Sequence, residues 1–83
     1  MVRGRVQGVG FRYFVKRHAR EQGLAGWVRN REDGAVEGEA VGPAAAIERL
    51  LAALRQGPGS ARVDEVSATP LAVVPETAGF HII

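Results

Sequence analysis

Apolar and polar positions alternate at the start of the chain, with Val2, Gly4 and Val6 on one side and Arg3, Arg5 and Gln7 on the other. A period of two predicts a strand with one covered face, and Gly8-Val9-Gly10 breaks it. The period then changes. Phe11, Phe14, Val15, His18 and Ala19 fall on one stripe of a helix, with Gly23 as its stop. Ala25 to Arg31 predicts a second strand around Trp27 and Val28, and Asp33-Gly34 a tight turn. From Ala35 to Val41, Val36, Gly38 and Ala40 alternate with Glu37 and Glu39, which predicts a strand with one dry and one acidic face. Gly42-Pro43 opens a second helix, with Pro43 suited to its first position because that N–H is unpaired anyway. Ile47, Leu50, Leu51 and Leu54 form its stripe, and Gly57-Pro58 ends it. Arg62 to Thr69 predicts another strand. A loop through Pro75 and Gly79 leads to a last short one, Phe80 to Ile83.

The order is β-α-β-β-α-β with an extra C-terminal strand. It predicts an α+β, ferredoxin-like βαββαβ sandwich: an antiparallel sheet with two helices on one face and the extra strand at the end. Residues 1–83 are expected to form a single domain.

Composition narrows the class of function. The chain of 83 residues has 46% hydrophobic and 24% charged residues, the balance of a globular protein. It has no cysteine, which excludes disulfides, thiolate metal sites and a Cys nucleophile. No apolar run reaches membrane-spanning length, and Met1-Val2-Arg3-Gly4-Arg5 has no secretory apolar core; a cytoplasmic location is the expectation. Net charge is only +2, but Arg3, Arg5, Arg12, Lys16, Arg17 and Arg20 lie in the first quarter of the chain, with Glu21 the only acid before Glu32. Such an end attracts anions, although charge alone favours a solvated basic face.

Gly4-Arg5-Val6-Gln7-Gly8-Val9-Gly10-Phe11-Arg12 lies where strand meets helix. Glycines at 8 and 10 permit positive φ, which lets successive N–H groups converge. The helix start adds partial positive charge, and Arg12 offers a planar fork. Spacing alone leaves two readings open, an anion site and a glycine-rich turn with a surface arginine. The segment is neither a P-loop nor a dinucleotide fingerprint. Asn30, read in isolation, is favoured as ordinary turn chemistry. His18 is expected partly buried and hydrogen-bonded, and His81 at the surface. Glu37 and Glu39 read as a solvated sheet face, and Trp27 as sheet packing. No metal-ligand spacing is present.

The segment Gly4 to Arg12 resembles the acylphosphatase signature G-x-V-Q-G-V-x-F-R. Gly26-Trp27-Val28-Arg29-Asn30 is similar to that family's second motif, G-W-V-x-N, followed by Asp33-Gly34 and Val36-Glu37-Gly38, and Gly79 to Ile83 resembles its end. The resemblance covers nearly the whole chain. It implies the ferredoxin-like fold and metal-independent, cofactor-free hydrolysis of small acyl phosphates by a monomer. It further implies that Arg12 and backbone N–H groups of Val6, Gln7, Gly8, Val9, Gly10 and Phe11 bind the phosphoryl group. Asn30 would orient the attacking water. Inorganic phosphate and sulfate are the expected competitors.

Two features depart from the pattern. The first strand is shorter than is usual in the family, and Arg31 stands where a small hydroxyl residue commonly follows the asparagine. Three alternatives remain. One is the similar domain of hydrogenase-maturation carbamoyltransferases, which would make the chain a phosphate- or carbamoyl-phosphate-binding unit. Another is a family member of weak or no activity. The third is an RNA-binding sheet, against which stand the acidic face and the missing aromatic motif; no nucleic-acid or membrane partner is expected.

Overall fold

The computed structural model describes residues 1–74 and 76–83. The part of the expected loop at Pro75 lies outside the described residues. The elements run β1 (Val2–Arg5), α1 (Phe11–Glu21), β2 (Ala25–Asn30), β3 (Val36–Val41), α2 (Ala44–Gln56), β4 (Arg62–Val66) and β5 (Phe80–Ile82). The sheet order is β4-β1-β3-β2-β5. Strands β1 to β4 pair antiparallel, and β5 adds along β2 in parallel, with Gly26 opposite Phe80 and Val28 opposite Ile82. The sheet is therefore mixed, and the extra strand accounts for the mixture.

One face of the sheet carries both helices. Val2, Val28, Val36 and Phe80 from the strands meet Phe11, Val15 and Ala19 from α1 and Ala46, Leu50 and Leu54 from α2 in one buried cluster. These are the inward positions of the period-two strands and the stripes of the two helices. Helix α1 ends in a Schellman motif: the N–H of Leu24 donates to the carbonyl of Ala19 and that of Gly23 to Arg20. Leu24 is then folded back into the core at 2% exposure.

Several element ends differ from expectation. Strand β1 stops at Arg5, where its pairing with β4 ends at Arg5↔Arg62, and Val6, 1% exposed, begins the loop. Strands β2, β3 and β5 each lose one terminal residue, to Asn30, Val36 and Ile82. Pro43 caps α2 instead of opening it: its ψ of 143° is extended, and its carbonyl accepts from Ala46 and Ile47. Strand β4 ends at Val66, not Thr69, since its pairing with β1 closes there. Beyond it, Met1 and Ser67 exchange backbone hydrogen bonds.

Beside this last rung the sheet opens. Strand β1 pairs with β3 at Val2↔Val36 alone, whereas β3 runs on to Val41. The result is a slot of about 1000 Å³ floored by core side chains that include Val15, Leu50, Leu51 and Leu54.

Candidate active site

Strands β1 and β2 are both antiparallel to β3, so they point the same way, and α1 returns antiparallel to them. The N-terminus of α1, the loop after β1 and the last residue of β2 consequently share one edge of the molecule. That topology gathers the two sequence segments singled out above.

The loop owes its shape to two glycines. Gly8 and Gly10 take φ of 72° and 76°, left-handed values that other residues adopt at a cost. A Cβ at either would meet nothing within 4 Å, so backbone conformation, not crowding, is what calls for glycine. Gly10 is the N-cap of α1, with no side-chain cap and no acid in the first turn. The first intrahelical bond runs from the Phe14 N–H to the Gly10 carbonyl. The N–H groups of Phe11, Arg12 and Tyr13 therefore precede the helical ladder and carry the positive end of its dipole.

A cavity of about 170 Å³ lies in front of them, lined by Val6, Gly8, Gly10, Phe11, Arg12, Tyr13 and Ile82. This is several times one water's share of liquid volume. Five of the seven expected phosphate-binding residues line it; Gln7 and Val9 do not. Val9 faces away, its carbonyl accepting from the Ser60 hydroxyl at 2.8 Å. Gln7 turns its amide to the other flank, donating to the carbonyls of Arg31 at 2.7 Å and Ala35 at 2.9 Å. Arg12 is half-buried, and no ion pair or hydrogen bond to its guanidinium is described, whereas Arg3, Arg29, Arg31 and Arg62 are all paired.

Asn30 does not line this cavity. It ends β2 exposed, and as the alternate of buried Gly26 and Val28 it shares their helix-side face. Ile82 lies opposite Val28, one alternation away, and does line the cavity. The turn after Asn30 is closed by Arg31 N–H to the Ala35 carbonyl at 2.8 Å and by the Ala35 N–H to Asp33 Oδ1 at 3.1 Å.

The opposite, open face of the sheet carries a chain of ion pairs. Arg29 and Arg31 both hold Glu37, at 2.7 and 3.0 Å, and Arg31 and Arg3 hold Asp33. Arg31, the residue in place of the common hydroxyl, thus directs its side chain into this network. The Arg29 hydrogen bond, seconded by Arg31, holds the Glu37 carboxyl below its usual range. The Ala35 N–H chiefly does so for Asp33. Trp27 donates to Glu39 at 2.8 Å under the Arg29 guanidinium, which is sheet packing. His18 is partly buried against Phe14 with ring centroids 4.4 Å apart. The expected hydrogen bond to it is not among those described, and the ring contact takes its place. His81 is exposed. Among the described residues, no group of three or more metal-ligating side chains lies together, and no helix is long and apolar enough to cross a membrane.

The acylphosphatase family model matches residues 1–82. The chain belongs to the acylphosphatase family. An acylphosphatase of Nitrobacter hamburgensis is 57% identical over 87% of this chain and 73% of its own. The crystal structure of an acylphosphatase from Bacillus subtilis superposes with a TM-score of 0.93 at 44% identity, covering 99% of this chain and 91% of that one. The chain is also similar to one part of a much longer protein, HypF of T. kodakarensis, with a TM-score of 0.86 and 34% identity. That match covers 99% of this chain but 11% of the other. Acylphosphatases act on small acyl phosphates, and it is the two acylphosphatase motifs that form the loop at α1 and the end of β2.

Proposed function

We propose that this chain hydrolyses acyl phosphates to a carboxylate and inorganic phosphate. The observation that carries the reading is the left-handed Gly8 and Gly10 opening onto the start of α1, which has no side-chain cap, beside Arg12, whose guanidinium has no partner among the described residues. In this reading the N–H groups along Val6 to Phe11 and the Arg12 fork take the phosphoryl oxygens, and Asn30 holds the water in line with the leaving group. The phosphoryl transition state spreads charge over its equatorial oxygens, where preorganised donors are most effective. Water attacks phosphorus, the P–O bond to the acyl group breaks with its electron pair, and the water's protons stay with the phosphate. A dianionic acyl phosphate and water thus give a carboxylate and dihydrogen phosphate. The leaving carboxylate has a conjugate acid of pKa about 4 and needs no proton from an acid. Placement of the water is then the main task, and an amide can perform it.

The same chemistry makes inorganic phosphate and sulfate competitive inhibitors and leaves no task for a metal. The residues of the site all come from one copy, and a monomer is the form proposed to act. The 34% likeness to part of HypF is outweighed by the 57% likeness to a stand-alone acylphosphatase. The test is benzoate release from benzoyl phosphate by the purified chain, with and without a chelator and rising phosphate. Hydrolysis that survives the chelator and yields to phosphate is expected. An inert protein overturns the reading.

A further inference from the structure

The phosphate loop and the turn that follows Asn30 come from different strands, and little backbone joins them. Strand β3 begins at Val36, so its pairing with β1 has ended at Val2↔Val36 before the loop is reached. Among the described residues, the hydrogen bonds between loop residues 6–10 and the 31–35 turn are the two from the Gln7 side chain. Both protons of one amide nitrogen are used, one on the Arg31 carbonyl and one on the Ala35 carbonyl. Carbonyls only accept, so the amide orientation follows from its partners. These two carbonyls bracket the turn, and the Ala35 carbonyl also closes it through the Arg31 N–H. The other flank of the loop is held independently by Ser60 on the Val9 carbonyl.

We infer that Gln7 is a positioning residue for the hydrolysis, a clamp that sets Asn30 at a fixed distance from the bound phosphoryl group. This rests on the acylphosphatase reading. The clamp does not hold the anion, because the loop's conformation is set by Val6, the two glycines, Ser60 and α1. It sets the offset between two halves of the site, and a displacement of about 1 Å there is enough to cost up to a hundredfold in rate.

The test uses Gln7→Glu, which keeps the shape but turns a carboxylate to two carbonyls, and Gln7→Met, which removes both donors without burying charge. For each, kcat on benzoyl phosphate, the inhibition constant for inorganic phosphate and Tm are measured, alone and combined with Asn30→Ala. The expected result is a fall in kcat of about tenfold or more with phosphate inhibition within about threefold of wild type. Added to Asn30→Ala, the same substitution is expected to cost almost nothing more, because the residue it positions is already gone. Parallel losses of turnover and phosphate binding, or losses that multiply in the double variants, overturn the inference. So does an undiminished kcat in a folded Gln7→Met. A wild-type protein inert on benzoyl phosphate would instead sink the functional reading itself.

Discussion

Adding about four residues before Met1, apolar at the first and third positions counted back from it, is expected to stabilise the protein without altering turnover. The slot beside β3 defines the perturbation. Continuing the antiparallel register from Val2↔Val36 sets the added residues opposite Gly38 to Val41. The first and third lie opposite Gly38 and Ala40, on the helix side, above Leu50, Leu51 and Leu54. Two large apolar side chains buried there contribute about 1.5–3 kcal/mol each. New backbone rungs add about 1 kcal/mol each. Ordering the added backbone costs about 1–2 kcal/mol per residue. The balance is a gain of about 2 kcal/mol, which in a domain of this size corresponds to roughly 8–16 °C in Tm. A further contribution has the same sign. The Met1 ammonium has its pKa lowered chiefly by burial, and a peptide bond in its place removes that partly desolvated charge. Thermal unfolding followed by circular dichroism reads the effect, and kcat on benzoyl phosphate checks the site, which lies at the other end of β1. An equally long Gly/Ser extension supplies no apolar burial and is expected to leave Tm unchanged or lower. If both extensions gave the same Tm, the slot would not be a packing deficit and the interior position of β1 would need another explanation.

Arg12→Lys keeps the charge and loses the two-pronged fork, so kcat/KM is expected to fall more than about tenfold with Tm unchanged; a smaller loss would remove Arg12 from the phosphoryl site. Asn30→Ala is expected to lower kcat strongly while inhibition by inorganic phosphate stays nearly constant; equal losses would move Asn30 into the anion site. Asp33 and Glu37 are both held below their usual values, so their contribution is present above the unfolded carboxylate range and is lost as pH falls through the folded values. The wild-type Tm is therefore expected to drop below about pH 4.5 more steeply than that of Glu37→Gln. Identical acid profiles would show that these exposed pairs add nothing measurable, as many surface pairs do not.

What could be read from the pattern was what depends on period. Of the predicted stripes, Phe11, Val15, Ala19, Leu50 and Leu54 are buried and Phe14, His18, Ile47 and Leu51 half-buried, and every predicted helix and strand exists. Ends were harder, because they are settled by partners. Val66 ends β4 through its rung with Val2, a contact between distant parts of the chain that no local window contains. The orientation of β5 has the same origin: its parallel course beside β2 depends on the long segment that returns it to that edge. At the site, the glycines and Arg12 were legible because φ preferences and charge are properties of single residues. Gln7 was noticed only for its backbone. That its side chain reaches Arg31 and Ala35 depends on where a second strand turns, and the sequence signal is no more than a polar residue next to a glycine. Arg31 departs from the common residue after Asn30, and which way its side chain turns depends on distant partners: the ion pairs with Asp33 and Glu37 hold it on the opposite face.

The parallel edge strand has a consequence for how the protein comes into being. Ile82 closes one wall of the cavity in front of α1, and β5, which follows every other described element, pairs with β2 across most of the chain's length. The loop, Arg12 and Asn30 all leave the ribosome well before it. Chains are made at roughly 5–20 residues per second and domains fold as they emerge. A nascent chain can thus pair β1 with β3 and shape the glycine loop, yet it lacks the wall beside Val28 until β5 has been made. The cavity's last wall is added in the step that seats Phe80 in the core and brings its carbonyl to Arg20.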